Sequence, residues 1–155
     1  MKPIFALMLC FAFASGASAS LFPVGYLPTG TYTADENLPK IKEAAAAKGH
    51  HILYVRFKTD INCPKAKAVS MAVARAMWGS TVVVYAPSER MKHVPEKVKA
   101  VFTQQYCGKY VPWFVVADPR TDAPVCTFGY DHYKQNAQLI MNQVRKKMAA
   151  APVGS

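Results

Sequence analysis

Ile52-Leu53-Tyr54-Val55-Arg56-Phe57 runs into Lys58-Thr59-Asp60-Ile61-Asn62-Cys63-Pro64-Lys65-Ala66-Lys67. The first six residues form an apolar run of the length of a buried strand. From Pro64, apolar residues recur at helical spacing through Ala66, Val69, Val73, Ala76 and Met77, which predicts a helix reaching Trp78. Proline suits the first helical position, where a missing N–H costs nothing, so Cys63 falls at the N-cap. A thiolate there gains from the unpaired amides of the helix start, from the positive end of the helix dipole, and from Lys65 and Lys67. The same residues also fit a plain helix start, because any small residue can precede a proline at that position.

The chain downstream repeats this alternation. Gly79-Ser80 ends the helix, and Thr81-Val82-Val83-Val84-Tyr85-Ala86 is a β-branched run of buried-strand character, closed by Pro87-Ser88. Helical spacing returns from Pro95 to about Tyr106 through Val98, Val101 and Phe102, with Gly108 as terminator. Val111-Pro112 introduces a third strand, Trp113 to Ala117. The turn residues Asp118-Pro119-Arg120-Thr121-Asp122 lead to a fourth, Val125 to Phe128, as its hairpin partner. After Gly129, the residues Ala137, Ile140, Met141, Val144 and Met148 mark the inner face of a final helix, and the tail from Ala149 is expected to fray.

Upstream, Leu38 to Lys48 reads as a helix with Pro39 at its start and Gly49 as its stop. Residues 20 to 37 form an arm rich in proline, glycine and aromatics, with Thr31-Tyr32-Thr33 as one short extended piece. At the N-terminus, Met1-Lys2-Pro3 precedes an apolar run, Ile4 to Phe13, and then Ala17-Ser18-Ala19. A charged end, an apolar core too short to span a bilayer and small residues at the cleavage positions make a secretory signal peptide ending near Ala19. Cys10 lacks the small residue before it that a lipoprotein anchor needs. The expected organisation is a signal peptide over 1–19, an arm and helix over 20–48, one domain over 49–148 and a flexible tail over 149–155, with a periplasmic or secreted location.

The 155 residues are 52% hydrophobic and carry a formal charge of +10, with only Lys2 of that charge in the leader. This balance favours anionic partners, but the lysines and arginines are spread out, and the longest run is Arg145-Lys146-Lys147. Solvated helix faces are the better reading of them than a specific nucleic-acid site. Three cysteines follow the leader, Cys63, Cys107 and Cys126. Three are too few for a disulfide scaffold, and an odd number leaves at least one free or bonded to another molecule.

The order strand, helix, strand, helix, strand, strand, helix, with a cysteine at the mouth of the first helix and Val111-Pro112 opening the third strand, resembles the thioredoxin fold over roughly Gly49 to Met148. The resemblance implies an α/β domain with a four-stranded mixed sheet flanked by helices, the arm and the Leu38 helix forming an N-terminal extension. It implies a cis peptide before Pro112 facing the helix-start cysteine. It also makes Val111, Pro112 and Gly129-Tyr130 the walls of a substrate groove. The departures concern the chemistry. Where the family has Cys-x-x-Cys, this chain has Cys63-Pro64-Lys65-Ala66, Asn62 stands for the tryptophan that often precedes the motif, and Arg56 stands near the place of a buried acid.

A dithiol cycle resolved by the neighbouring cysteine is therefore not carried over. Three routes stay open. Cys63 acts alone as a nucleophile; or Cys107, five residues before Pro112, resolves it; or Cys63 is locked to Cys107 or Cys126 in a structural disulfide. Cys107 and Cys126 could instead pair with each other, and spacing does not choose among these.

Other candidates are weaker. His50-His51 lacks further ligands at metal spacing and reads as a strand start. The sequence places no partner beside His93 or His132. Trp113 reads as core or groove wall, and Tyr130, His132 and Tyr133 as a helix entrance or a groove lining. The expected function is thiol and disulfide handling on envelope proteins or peptides, needing no cofactor and no metal. The alternative is a non-catalytic thioredoxin-like subunit of a larger envelope assembly, of the kind used in secretion or conjugation. Charge-driven adhesion to an anionic polymer is a third, weaker reading.

Overall fold

A computed structural model describes residues 32–34, 37–58, 62–89, 91–104 and 111–154. In chain order the elements are β1 (Tyr32–Thr33), α1 (Leu38–Ala47), β2 (His51–Phe57), α2 (Pro64–Ala76), β3 (Thr81–Pro87), α3 (Glu96–Phe102), β4 (Trp113–Ala117), β5 (Pro124–Gly129), α4 (Tyr130–Gln135) and α5 (Ala137–Ala150). They build one mixed sheet in the order β1-β3-β2-β4-β5. β1, β3 and β2 run parallel, and β4 and β5 are antiparallel to their neighbours. This is the expected α/β, thioredoxin-like architecture. The four strands read from the sequence are present, and the short extended piece of the arm adds a fifth at the sheet edge, pairing Tyr32 with Val84.

β2 lies between β3 and β4 and is covered on both faces. That is why it reads as an unbroken apolar run instead of an alternating one. Ile52 and Tyr54 face a core shared with Leu38, Ile41 and Ala45 of α1 and with Val98, Val101 and Phe102 of α3. Leu53 and Val55 face the other core, with Val69, Val73 and Met77 along α2 and Met141, Val144 and Met148 along α5. α1 therefore belongs to the body of the domain, since its inner face completes one of the two cores. Its end follows from backbone chemistry. Gly49 takes a left-handed φ of 68°, and the amides of Gly49 and His50 bond back to the carbonyls of Ala46 and Ala45 at 3.1 and 2.9 Å.

Two stretches differ from the sequence reading. The segment after Gly129 is two helices, because Asn136 leaves helical geometry (φ −157°, ψ 86°) and its side chain accepts from the Leu139 amide at 3.0 Å to start α5 anew. The tail, expected to fray, makes specific contacts: the buried His51 Nε2 lies 2.7 Å from the Ala151 carbonyl, and the Gly154 amide bonds to Asp118. α3 closes at Phe102, and the expected continuation to Tyr106 runs into 105–110, outside the described residues. Cys107 and the signal segment also lie outside them. Among the described residues, no helix is long and apolar enough to cross a membrane.

Candidate functional site at the sheet end beneath the second helix

The C-terminal ends of β2, β3 and β5 and the N-terminal end of β4 meet at one edge of the sheet, where Arg56 pairs with Trp113 and Trp113 with Gly129. Above this edge α2 begins. Cys63 is its N-cap in extended geometry (φ −108°, ψ 106°), Pro64 is the first helical residue, and the Cys63 carbonyl accepts from the Lys67 amide at 3.0 Å. The thiol is free and exposed. One expectation changes in detail: the sulfur makes no capping hydrogen bond to the helix amides, and the Lys67 ammonium donates to Asn62 Oδ1 at 2.9 Å. Sulfur is a weak acceptor, so the helix start leaves it open instead of tying it down.

The Val111-Pro112 peptide is cis. Val111 is half-buried and Pro112 buried, and the Pro112 carbonyl accepts from the Tyr130 amide at 3.1 Å. The Tyr130 ring packs against a small cluster of Phe57, Ala66 and Tyr85. Pro112, the Gly129-Tyr130 bend and the first turn of α2 are thus joined by contact, and Ala66 stands one helical turn from Cys63. The methyl of Ala66, three residues after Cys63, is buried against Phe57, Tyr85 and Tyr130.

Gly129 has a steric reason. A Cβ on it would come within 2.3 Å of two carbons of the Trp113 indole, so this ring lies directly on the glycine backbone. The indole is fixed further by its N–H, which donates to Thr127 Oγ1 at 2.5 Å, and by the edge of His132, 5.6 Å away between ring centres at 81°. His132 Nδ1 accepts from the Gly129 amide at 3.1 Å, which directs the proton of the neutral ring to Nε2. Sequence reading left His132 without a partner. The available signal was its position, three residues after the N-cap glycine of α4, where a side chain can reach back to the cap amide.

Arg56 is half-buried near the C-terminal end of β2. Its Nε donates to Ser88 Oγ at 3.2 Å, its Nη1 donates to the Phe102 carbonyl, and the guanidinium sits 6.0 Å above the Phe102 ring. Its charge is therefore committed to tying the ends of β3 and α3 to β2.

Cys126 does not join this site. It sits in β5 opposite Val116, inside the α2 and α5 core, with a free thiol. Burial pushes that thiol up to about 11, with Lys147 pulling weakly the other way. His51 is at the opposite end of the sheet, held by the tail, and His93 is exposed on the loop before α3. Among the described residues, no three His, Cys, Asp or Glu side chains cluster as a metal site would require. Comparison by sequence gives no match to any protein-family model and no match among curated proteins.

Proposed function

We propose that this chain is an exported thioredoxin-like protein that exchanges disulfides with envelope proteins or peptides through the single thiol of Cys63. The observation that carries this reading is a free, exposed cysteine at the N-cap of α2, on the sheet end that also bears the cis-Pro112 bend. The Cys63 thiolate attacks a substrate disulfide, a new S–S bond joins the two chains, and the departing substrate sulfur leaves with the bonding electron pair. The groove residues Val111, Pro112 and Gly129 would hold the extended substrate segment. With Ala66 in the second motif position, release requires a thiol from the substrate, from a small-molecule thiol or from Cys107. The N-terminal signal segment supports a periplasmic or secreted location.

Native labelling with a thiol reagent followed by peptide mapping tests this. Cys63 is expected to take the label at once and to form a mixed disulfide with a model peptide disulfide, and Cys63→Ser is expected to abolish that adduct. A Cys63 found quantitatively bonded to Cys107, or unlabelled in the native protein, overturns the exchange reading.

One observation favours a second reading. The closed packing of Ala66 under Tyr130 suits a domain kept for docking instead of chemistry, as a subunit of a larger envelope assembly. In that case Cys63→Ser retains every partner captured by the native protein.

A further inference from the structure

The charges on the two helical layers of the sheet differ. α2 carries Lys65, Lys67 and Arg75, α4 carries Lys134, and α5 carries Arg145, Lys146 and Lys147, against a single carboxylate, Asp131. All but the half-buried Lys67 are exposed. On the opposite layer, α1 and α3 carry four lysines and two glutamates, and ion pairs there join Lys42 to Asp122 and Lys99 to Glu96. Among the described residues, no ion pair within 4.0 Å involves Lys65, Arg75, Lys134, Arg145, Lys146 or Lys147. Much of the chain's excess positive charge therefore faces one way.

That face is continuous with the candidate site. α2 and α5 cover the same core, α4 packs against the start of α2 through Tyr130, and Cys63 opens α2. Lys65 and Lys67 follow the thiol in the first turn of α2, Lys134 lies on α4, and Arg75 and the Arg145-Lys146-Lys147 run stand toward the far ends of their helices. The thirteen residues of α2 measure roughly 20 Å at about 1.5 Å per residue. An extended segment of roughly six residues, at about 3.3 Å each, covers that length.

We infer that the α2, α4 and α5 layer is a docking surface for an acidic polypeptide segment that carries a cysteine at one end and lies along the layer from Cys63 toward Arg145. This rests on the exchange reading only for the role of Cys63; the docking itself rests on charge. Lipid is a poorer occupant. The two large apolar side chains exposed on this layer, Trp78 and Leu139, stand at opposite ends of it, so they form no apolar patch to enter a bilayer. Nucleic acid is also poorer, since Trp78 alone offers no row of stacking rings.

The test uses peptides of one cysteine followed by six residues, acidic in one and basic in the other, each cysteine activated as its disulfide with thionitrobenzoate. Attack by Cys63 forms the peptide disulfide and releases the coloured thiolate, and mass spectrometry assigns the adduct. At low salt the acidic probe is expected to react about tenfold faster or more than the basic one, and about 0.5 M salt should bring the two together. R145E/K146E/K147E, checked for an unchanged thermal midpoint, should remove the preference. Rates within twofold at low salt, or a preference that survives the triple reversal, overturn the docking surface.

Cys63→Ser with an unactivated acidic peptide separates the two claims by fluorescence anisotropy. Binding that is lost in salt and on triple reversal, with Cys63 inert in the native protein, keeps the docking surface and removes the exchange reading. Binding to vesicles of anionic lipid without binding to the acidic peptide overturns the proposal in favour of a membrane surface.

Discussion

At the scale of single residues, Gly129 shows why one position admits one side chain. Its backbone is the floor of the Trp113 indole, and the indole is held from two other directions by Thr127 and His132, so the ring has little room to give way. Gly129→Ala is expected to cost about 1–3 kcal/mol, the range for overpacking a filled site, and to disturb the tryptophan fluorescence of the folded state. Chemical denaturation of the two proteins measures the first and emission spectra the second. Trp113→Phe with Gly129→Ala should recover part of the loss, because it removes ring atoms from the contact. The buried thiol Cys126 makes the opposite case, a reactive group kept inert by its place. Its folded value of about 11 lies above the ordinary thiol value of about 8.5. The folded state thus favours the protonated thiol, and that contribution is complete below the unfolded value and is lost as pH rises toward 11. Denaturation midpoints should fall across that window, and fall less in Cys126→Ala once its own lower baseline is subtracted. Labelling of Cys126 should require unfolding.

Among the elements, the break at Asn136 carries a specific expectation. Its side chain is the acceptor that starts α5, so Asn136→Ala should lower stability by about 1 kcal/mol, measured as a shift in the urea midpoint, while Asn136→Asp should retain most of it. The same break marks a limit of reading elements from sequence. Apolar spacing predicted one helix after Gly129, and spacing tracks which side chains are buried, not where the backbone leaves helical geometry. Ile140, Met141, Val144 and Met148 pack with the α2 core just as they would on an uninterrupted helix. The central strands were legible for a related reason. β2 and β4 are covered on both faces, so nearly every residue in them is apolar, and their limits were recovered to within a residue. β1 is only two residues long and gains its place from pairing with β3 through Tyr32 and Val84, a non-local contact with no signature in the chain itself.

For the whole molecule, the sheet has two ends with different duties, and the sequence disclosed them unequally. At one end, Cys63, Pro112 and Gly129 announce themselves through residue types with restricted uses, a thiol before a proline and an X-Pro bond before a strand. Trp113, Thr127 and His132 come together only when β4 and β5 pair, so their partnership was hidden. At the other end, the turn between β4 and β5 is tied to the C-terminus in a way that composition could not suggest. Burial alone would raise the Asp118 carboxyl, but the amides of Thr121, Arg120 and Gly154 bond to it and hold it below its ordinary value. The Arg120 guanidinium lies on Gly154, and His51 at the start of β2 meets Ala151. One carboxylate thereby gathers the turn and the tail against the end of the sheet. Its folded value is depressed, so the stabilisation is complete above the unfolded carboxylate value of about 3.9 and is lost as pH falls through the folded value. Urea midpoints of the native protein should therefore drop more steeply than those of Asp118→Asn on acidification, and the two should converge once the carboxylate is protonated. Hydrogen exchange at the Gly154 amide follows the tail separately: Asp118→Asn should expose it at neutral pH, whereas equal protection in both proteins would show that Arg120 and His51 hold the tail without the carboxylate.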